Sequence, residues 1–342
     1  MTTIKDISRA CGVSPATVSK ALNGYSEISS ETVELIRQTA KEMNYRPNAA
    51  ARLLKTNMSH NIGVLFVDST RSGLTHEYFS LILNSVKEEA EKLGYDITFI
   101  SQHIGGEEVS FLEHCRYRRC DGVVIACVDF ENEDVIELVK SDVPVITIDY
   151  TFDNTSCILS DNIEGMKKLT SYLLDAGHRE IAFIHGEANS VTEKRLNGFY
   201  RAMEQYGVPV RDELVIEGQY HRPDVAGELT AKLLELPAPP TAIMYPDDFS
   251  YLGGIAEIRN RGLSVPEDVS AAGYDGINLA SVIQPALATW RQNAEEIGRR
   301  SVQKLVETIE HRKTSEAEQI SVAGELLQGC SVSRRNSKRN TK

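Results

Sequence analysis

The chain has 342 residues, too long for one ordinary domain, and its charge is uneven: residues 1–60 hold 8 Lys and Arg against 5 Asp and Glu. Residues 331–342 add five cations and no acid, so residues 61–330 carry −20 within a net charge of −12. A mildly basic start on an acidic body suits contact with phosphates at one end only. No apolar stretch is long enough to span a bilayer, and the polar start excludes a signal peptide, so a cytoplasmic location is expected. The six cysteines (Cys11, Cys115, Cys120, Cys127, Cys157, Cys330) form no Cys-x-x-Cys pair, and His114 beside Cys115 lacks further ligands. Idle thiols in a reducing compartment follow, with no metal or cofactor.

In chain order, Ile4 to Ala10 is a short amphipathic segment with Ile4, Ile7 and Ala10 on one face, broken by Gly12. Ser14-Pro15 restarts a helix, with a hydroxyl N-cap and a proline at the first helical position, and the run ends near Asn23-Gly24. Two short helices joined by a glycine-containing turn predict a helix-turn-helix unit, whose second helix lies in a major groove. Pro15 and Ala16 are small enough for close approach to base edges. Thr17, Ser19 and Lys20 offer hydroxyl and ammonium donors. Pro15, Ala16 and Lys20 are expected to face the groove, with Ser14, Thr17 and Asn23 on phosphates. Asn48 to Lys55 holds strong helix formers behind an Asn cap. At about two turns it is shorter than the ~12–15 residues an isolated helix needs in water, so it is expected to fold only when held.

From residue 61 apolar runs alternate with helical periodicity. Strands are expected at 62–67, 95–100, 122–127 and 144–148, with helices at 78–93, 107–118 and 135–140. A second set follows: strands at 181–185, 214–217, 242–245 and 269–273, with helices at 162–176, 193–206, 223–236 and 249–261. The stretch 286–290 and the helix 294–310 are expected to cross back to the first set. Apolar strands without alternation imply parallel sheets covered on both faces. Two sets of βα units predict an α/β body of two doubly wound lobes with a cleft between them. The domain plan is a small all-α head over 1–46, a hinge over 47–60, a two-lobed body over 61–330, and a basic, disordered tail over 331–342.

Ligands in such sheets bind beyond the carboxyl ends of the strands. The loops there carry Asp68-Ser69, Asp149-Tyr150, Arg195, Tyr220, Asp247-Asp248 and Tyr274-Asp275, with Phe79 on the first helix of the body. Carboxylates and amides matched to hydroxyls, with aromatic faces against a ring, suit a sugar or another polyhydroxylated molecule. Enzyme signatures are missing: no Gly-x-Gly-x-x-Gly opens a helix after the first strand, and neither Gly-Lys-Ser/Thr nor Gly-x-Ser-x-Gly occurs. His178, after Gly177 at a helix end, reads as a partner of the helix dipole rather than a general base.

Three blocks, Thr3-Ile4-Lys5-Asp6-Ile7, Gly12 through Ser19 (Gly-Val-Ser-Pro-Ala-Thr-Val-Ser) and Tyr45 through Lys55 (Tyr-Arg-Pro-Asn-Ala-Ala-Ala-Arg-Leu-Leu-Lys), resemble the LacI/GalR family of bacterial repressors. Within the body, Gly177-His178-Arg179, Arg195-Leu196-x-Gly198-Phe199, Pro240-Thr241-Ala242 and Gly273-Tyr274-Asp275 resemble that family's periplasmic-binding-protein-like effector domain. The resemblance implies a homodimeric regulator on double-stranded DNA with an inverted-repeat operator. It implies that two hinge helices pack in the minor groove, with Leu54 wedged at the central step and Asn48, Ala51, Arg52 and Lys55 beside it. It also implies that Arg195, Tyr220, Asp247 and Asp275 face a small effector, with Ser69, Phe79 and Asp149 as further cleft candidates. Many members carry Asn-Asp where this chain has Asp247-Asp248, and Tyr245-Pro246 and Phe249 around them are unusual. The expected function is repression of carbohydrate-use genes by a sugar-responsive regulator; the alternative is a purine or other non-sugar effector acting as corepressor.

Overall fold

A computed structural model describes residues 2–22, 27–45, 58–67 and 73–335. Asn23, Asn48, Ala51, Arg52, Leu54, Lys55 and Ser69 lie outside these, and with them the hinge and the first cleft loop. The chain divides into two units, residues 1–59 and 60–342.

In the head, α1 (Ile4–Cys11), α2 (Pro15–Leu22) and α3 (Ser30–Glu42) enclose a small core of Ile7, Val18, Ala21, Ile36 and Ala40. The Asp6 carboxylate reaches back to the Thr3 amide at 2.9 Å and caps α1. Gly12 ends that helix at φ 66°, a left-handed conformation that costs glycine nothing. Ser14 Oγ accepts the Thr17 amide at 3.0 Å, the expected N-cap. Ala10 does not join the inner face: it is exposed, and the buried Ser8 takes that side, donating to the Val13 carbonyl at 2.6 Å. The helix α3 closes the core from a stretch for which the sequence reading held no element.

The body is built on two six-stranded sheets. The first joins β1 (Asn61–Phe66), β2 (Asp96–Ile100), β5 (Gly122–Ala126), β6 (Val145–Ile148), β7 (Ser156–Ser160) and β13 (Gln319–Val322), in the order β13-β7-β6-β5-β1-β2. All its pairings are parallel, from Ile62 opposite Gly122 to Ile320 opposite Ile158. Between β2 and β5 lies a small hairpin, β3 (His103–Ile104) with β4 (Glu107–Glu108). Helices α4 (Glu77–Lys92), α5 (Phe111–Tyr117) and α6 (Glu133–Lys140) connect the strands, and Leu65, Ile100, Phe111, Val123, Ile125 and Leu138 are among the apolar residues packed on one face.

The second sheet runs β14-β12-β11-β10-β8-β9. Its strands are β8 (Ile181–His185), β9 (Val215–Glu217), β10 (Ala242–Met244), β11 (Ser270–Asp275), β12 (Ala288–Arg291) and β14 (Glu325–Leu327). Only β14, an edge strand, is antiparallel. Its helices are α7 (Asn162–Asp175), α8 (Ser190–Gln205), α9 (Pro223–Leu234), α10 (Tyr251–Asn260) and the short α11 (Asn278–Val282). A Cβ on Gly198 would lie 2.3 Å from the Ile163 carbonyl oxygen, so α7 and α8 approach closely only because that residue is glycine. Helix α12 (Ala294–Glu310) returns to the first lobe and packs against α4, where Gly298 sits over the Ile82 carbonyl. The chain crosses between lobes three times, at residues 160–162, 291–294 and 322–325.

Three expectations are corrected. The helix placed at 107–118 starts only at Phe111, because Gly105 and Gly106 (φ 61° and 94°) turn β3 into β4 and Ser110 then caps the helix. The crossing back follows β12, which belongs to the second sheet. The tail expected from residue 331 is anchored as far as 335. Ser331 Oγ donates to the Ala271 carbonyl at 2.6 Å and accepts the Ala288 amide at 2.8 Å, and the Arg335 amide donates to the Ala176 carbonyl at 2.7 Å.

Candidate functional sites

In the head, Val18 and Ala21 turn into the core, which fixes the opposite side of α2 outward. Ser14, Pro15, Ala16 and Lys20 are exposed, and Thr17 and Ser19 half-buried. The outward surface of α2 is thus small at its N-terminal end and polar further along. Ser14 and Thr17 share a hydroxyl hydrogen bond of 2.8 Å, and Lys20 pairs with Glu27. That ion pair is exposed and is therefore a weak competitor for a phosphate.

The cleft centres on Arg195, which projects from α8 and is 5 % exposed. Its Nε donates to Asn162 Oδ1 and its Nη1 to the Pro246 carbonyl, each at 2.9 Å. The guanidinium lies 3.7 Å from the centroid of Tyr274 and 5.5 Å from that of Tyr220. Nη2 is 3.7 Å from Asp275 Oδ1, an ion pair too long for a hydrogen bond. Asp275 ends β11 at φ 102°, a conformation rare outside glycine. Gln292, just past β12, holds it there: Nε2 donates to Asp275 Oδ1 at 2.7 Å, and the Gln292 amide donates to the Asp275 carbonyl at 3.1 Å. Burial pushes the Asp275 carboxyl up to about 7, with Arg195 opposing the shift and Asp247 adding to it. Gln292 Oε1 is buried and has no hydrogen-bond partner among the described residues.

Tyr220 lies flat over the chain because residue 186 is glycine: a Cβ there would meet the ring at 2.0 Å. Its hydroxyl shares a 2.8 Å hydrogen bond with Thr192. Arg195, Tyr220 and Asp275 therefore converge as expected. Asp247 does not join them. Its Oδ2 accepts the His221 amide at 2.7 Å and Ser250 Oγ at 2.9 Å, and its Oδ1 accepts the Ser250 amide at 2.7 Å. Asp248 is likewise occupied by Thr289 Oγ1 at 2.6 Å and the Ile277 amide at 2.9 Å, and burial raises its carboxyl well above the usual range. Asp149 ends β6 and clamps β7, accepting the Ser160 amide at 2.6 Å and Ser160 Oγ at 3.2 Å. Its carboxyl too is raised by burial, while its main-chain oxygen accepts Ser190 Oγ from the facing lobe at 3.3 Å.

The mouth of the cleft carries residues the sequence reading did not single out. His76, from the first lobe, stacks on His221 of the second at 4.2 Å between centroids, and His221 stacks on Phe249 at 4.0 Å. Phe79 meets His76 edge-on at 4.9 Å and so borders this stack rather than the centre of the cleft. Beside it the Asn278 amide donates to Glu77 Oε1 at 2.7 Å, a second tie between lobes. His178 is not the cation expected at a helix end. It is fully buried between Thr241 Oγ1 at 2.9 Å and the Ser333 carbonyl at 3.1 Å, and burial lowers it to about 4, so it is neutral. Among the described residues no group of acidic, His or Cys side chains is arranged to hold a metal, and no helix is long and apolar enough to cross a membrane.

A buried arginine facing a carboxylate at the strand ends of a two-lobed α/β body, joined to a helix-turn-helix head, defines a ligand-controlled DNA-binding protein. The sequence matches "Bacterial regulatory proteins, lacI family" over residues 3–48 and "Periplasmic binding proteins and sugar binding domain of LacI family" over residues 59–329. The chain belongs to the LacI family and is a transcriptional repressor. It is 34 % identical to the HTH-type transcriptional repressor PurR of Pasteurella multocida over 333 residues, covering 96 % of this chain and 97 % of that one. The PurR repressor of Haemophilus influenzae (strain Rd) is 32 % identical over 91 % of this chain and 92 % of its own. Among solved structures, the lac repressor dimer bound to operator and the anti-inducer ONPF superposes with a TM-score of 0.76 at 25 % identity, covering 97 % of this chain and 99 % of that one. The regulator CelR in complex with cellobiose shares the fold, with a TM-score of 0.70 at 23 % identity over 97 % of this chain and all of that one.

Proposed function

We propose that this repressor acts in the cytoplasm as a homodimer on an inverted-repeat operator, and that its effector is a purine base acting as corepressor rather than a sugar. The observation that carries this reading is the use already made of the carboxylates. A sugar presents a ring of hydroxyls and needs several open acceptors. Asp149, Asp247 and Asp248 spend theirs on neighbouring amides and hydroxyls. Among the described residues, what stays open around Arg195 is one edge: the Nη2 donor, the second oxygen of Asp275 and the orphaned carbonyl of Gln292. An oxopurine offers a carbonyl and a ring nitrogen to the arginine, N–H groups to the two acceptors, and a flat face to Tyr220. The relatives at 32–34 % identity are themselves transcriptional repressors named PurR, which supports the reading of this chain as a repressor with a purine effector.

The test is thermal unfolding of the full chain with hypoxanthine, guanine and adenine against glucose, galactose and ribose. A cleft ligand at a hundredfold excess over Kd stabilises the protein by ~2.7 kcal/mol. An oxopurine should raise Tm by several degrees and strengthen operator binding, and Arg195→Ala should lose both effects while still binding the operator. Stabilisation by a sugar with none by any base would return the reading to a sugar effector.

A further inference from the structure

Outside the cleft, at the end of α5, the side chains of Cys115 and Cys120 pack together. Arg118 caps the helix, Arg119 follows at φ 52°, the Arg119 amide donates to the Arg116 carbonyl at 3.1 Å, and the Cys120 amide to the Cys115 carbonyl at 2.9 Å. These two bonds make a Schellman motif, whose geometry brings together the side chain three positions inside the helix end and the side chain two positions past it. In most proteins that contact is between apolar groups. Here both are cysteines, Cys115 fully buried and Cys120 half-buried. Asn61 Nδ2 donates to Cys120 Sγ at 3.6 Å and to the Arg118 carbonyl at 3.2 Å, fixing this turn beside the residue where the chain enters the first strand of the body.

We propose that Cys115 and Cys120 form a thiol–disulfide redox site that closes reversibly under oxidation by a low-molecular-weight disulfide. Cys120 is the group that reacts first, because it alone is reachable. The neighbouring Cys115 thiol holds the Cys120 thiol below the usual cysteine range, with burial and Asp121 opposing the shift and the Arg118 guanidinium adding to it. The Cys120 thiolate attacks one sulfur of oxidised glutathione, breaks its S–S bond and releases one glutathione thiolate. Cys115, packed alongside, then loses its proton and attacks Cys120 Sγ, which expels the second glutathione. The two protein thiols give up two electrons, oxidised glutathione takes them, and the two thiol protons end on two molecules of reduced glutathione. The Cys115 thiol, pushed up chiefly by its bond to Cys120 and then by burial, is freed of the first effect once Cys120 carries glutathione. Cytosolic disulfides of this kind are transient and sensing rather than structural.

The test uses the full chain with oxidised glutathione, blocking of remaining thiols, tryptic digestion and mass spectrometry. Trypsin cuts after Arg116, Arg118 and Arg119, so the bridge appears as peptides 93–116 and 120–140 joined, with fragmentation separating Cys120 from Cys127. The exposed Cys330 reports that the reagent has acted. The joined peptides should form and be reversed by dithiothreitol. Cys115→Ser should instead trap glutathione on Cys120, and Cys120→Ser should abolish the joined species. Full glutathionylation of Cys330 with no joined peptide, or a stable glutathione adduct on Cys120 in the unsubstituted chain, would overturn the proposal and leave the pair as an ordinary helix-end contact.

Discussion

Asp275 sits near its own midpoint at neutral pH, because burial works against its charge while Arg195 works for it, and the balance lifts it from 3.8 to about 7. For a carboxyl raised above its unfolded value, the contribution to stability is fully present below about pH 4 and is lost as pH climbs toward 7. The fold therefore tolerates a carboxylate there at some cost, as expected of a group kept for binding. An N–H donor in the cleft needs that carboxylate ionised. Affinity for an oxopurine should rise about tenfold from pH 6 to pH 8, in step with ionisation of a group near 7. Asp275→Asn should flatten the profile while leaving Arg195 buried. Calorimetric titration across that range decides it: a flat profile in the unsubstituted protein would remove Asp275 from the ligand. The neighbouring Asp247 makes the contrast, since its two oxygens accept three bonds that hold a loop together.

Among the elements, α2 has the plainest division of labour, with Val18 and Ala21 inward and Pro15, Ala16 and Lys20 outward. Exchanging residues 15 and 16 for other small or polar side chains should change which half-site is preferred, because a mismatched base pair costs ~1–3 kcal/mol. Binding to a panel of half-site variants at one salt concentration measures this. Equal weakening on every variant would mean that these residues position the helix and read nothing. Elements of this sort were legible in advance: α12 spans the same residues, 294–310, that the sequence predicts, and Asn293 caps it. β13, β14 and α11 were not, since short strands at sheet edges and a five-residue helix owe their form to distant partners rather than to their own pattern. The site divides in the same way. Tyr220 and Asp275 stand just beyond strand ends and Arg195 in the first turns of the helix after β8, at positions matched by the family resemblance. That Asp247 turns away depends on the His221 and Ser250 amides, which no local pattern reveals. His76, His221 and Phe249 come from three loops in two lobes, and only Phe249 stood out beforehand, as an unusual neighbour of Asp247-Asp248.

For the whole molecule, the stack of His76 on His221 on Phe249 and the bond from the Asn278 amide to Glu77 join the lobes across the cleft mouth. An aromatic pair contributes ~0.5–1.5 kcal/mol beyond its buried area. His221→Ala should therefore open the ligand-free body measurably in small-angle scattering, and in stopped-flow should speed both entry and release of the effector about two- to tenfold. An unchanged scattering curve together with unchanged rates would show that the stack carries no load. Were such a tie to hold the empty cleft and the filled one equally, it would shift neither relative to the other. It would then govern tempo instead of dose: the concentration at which the repressor responds would be set deeper in the cleft, while the delay before the genes register a change would lengthen with every contact at the mouth.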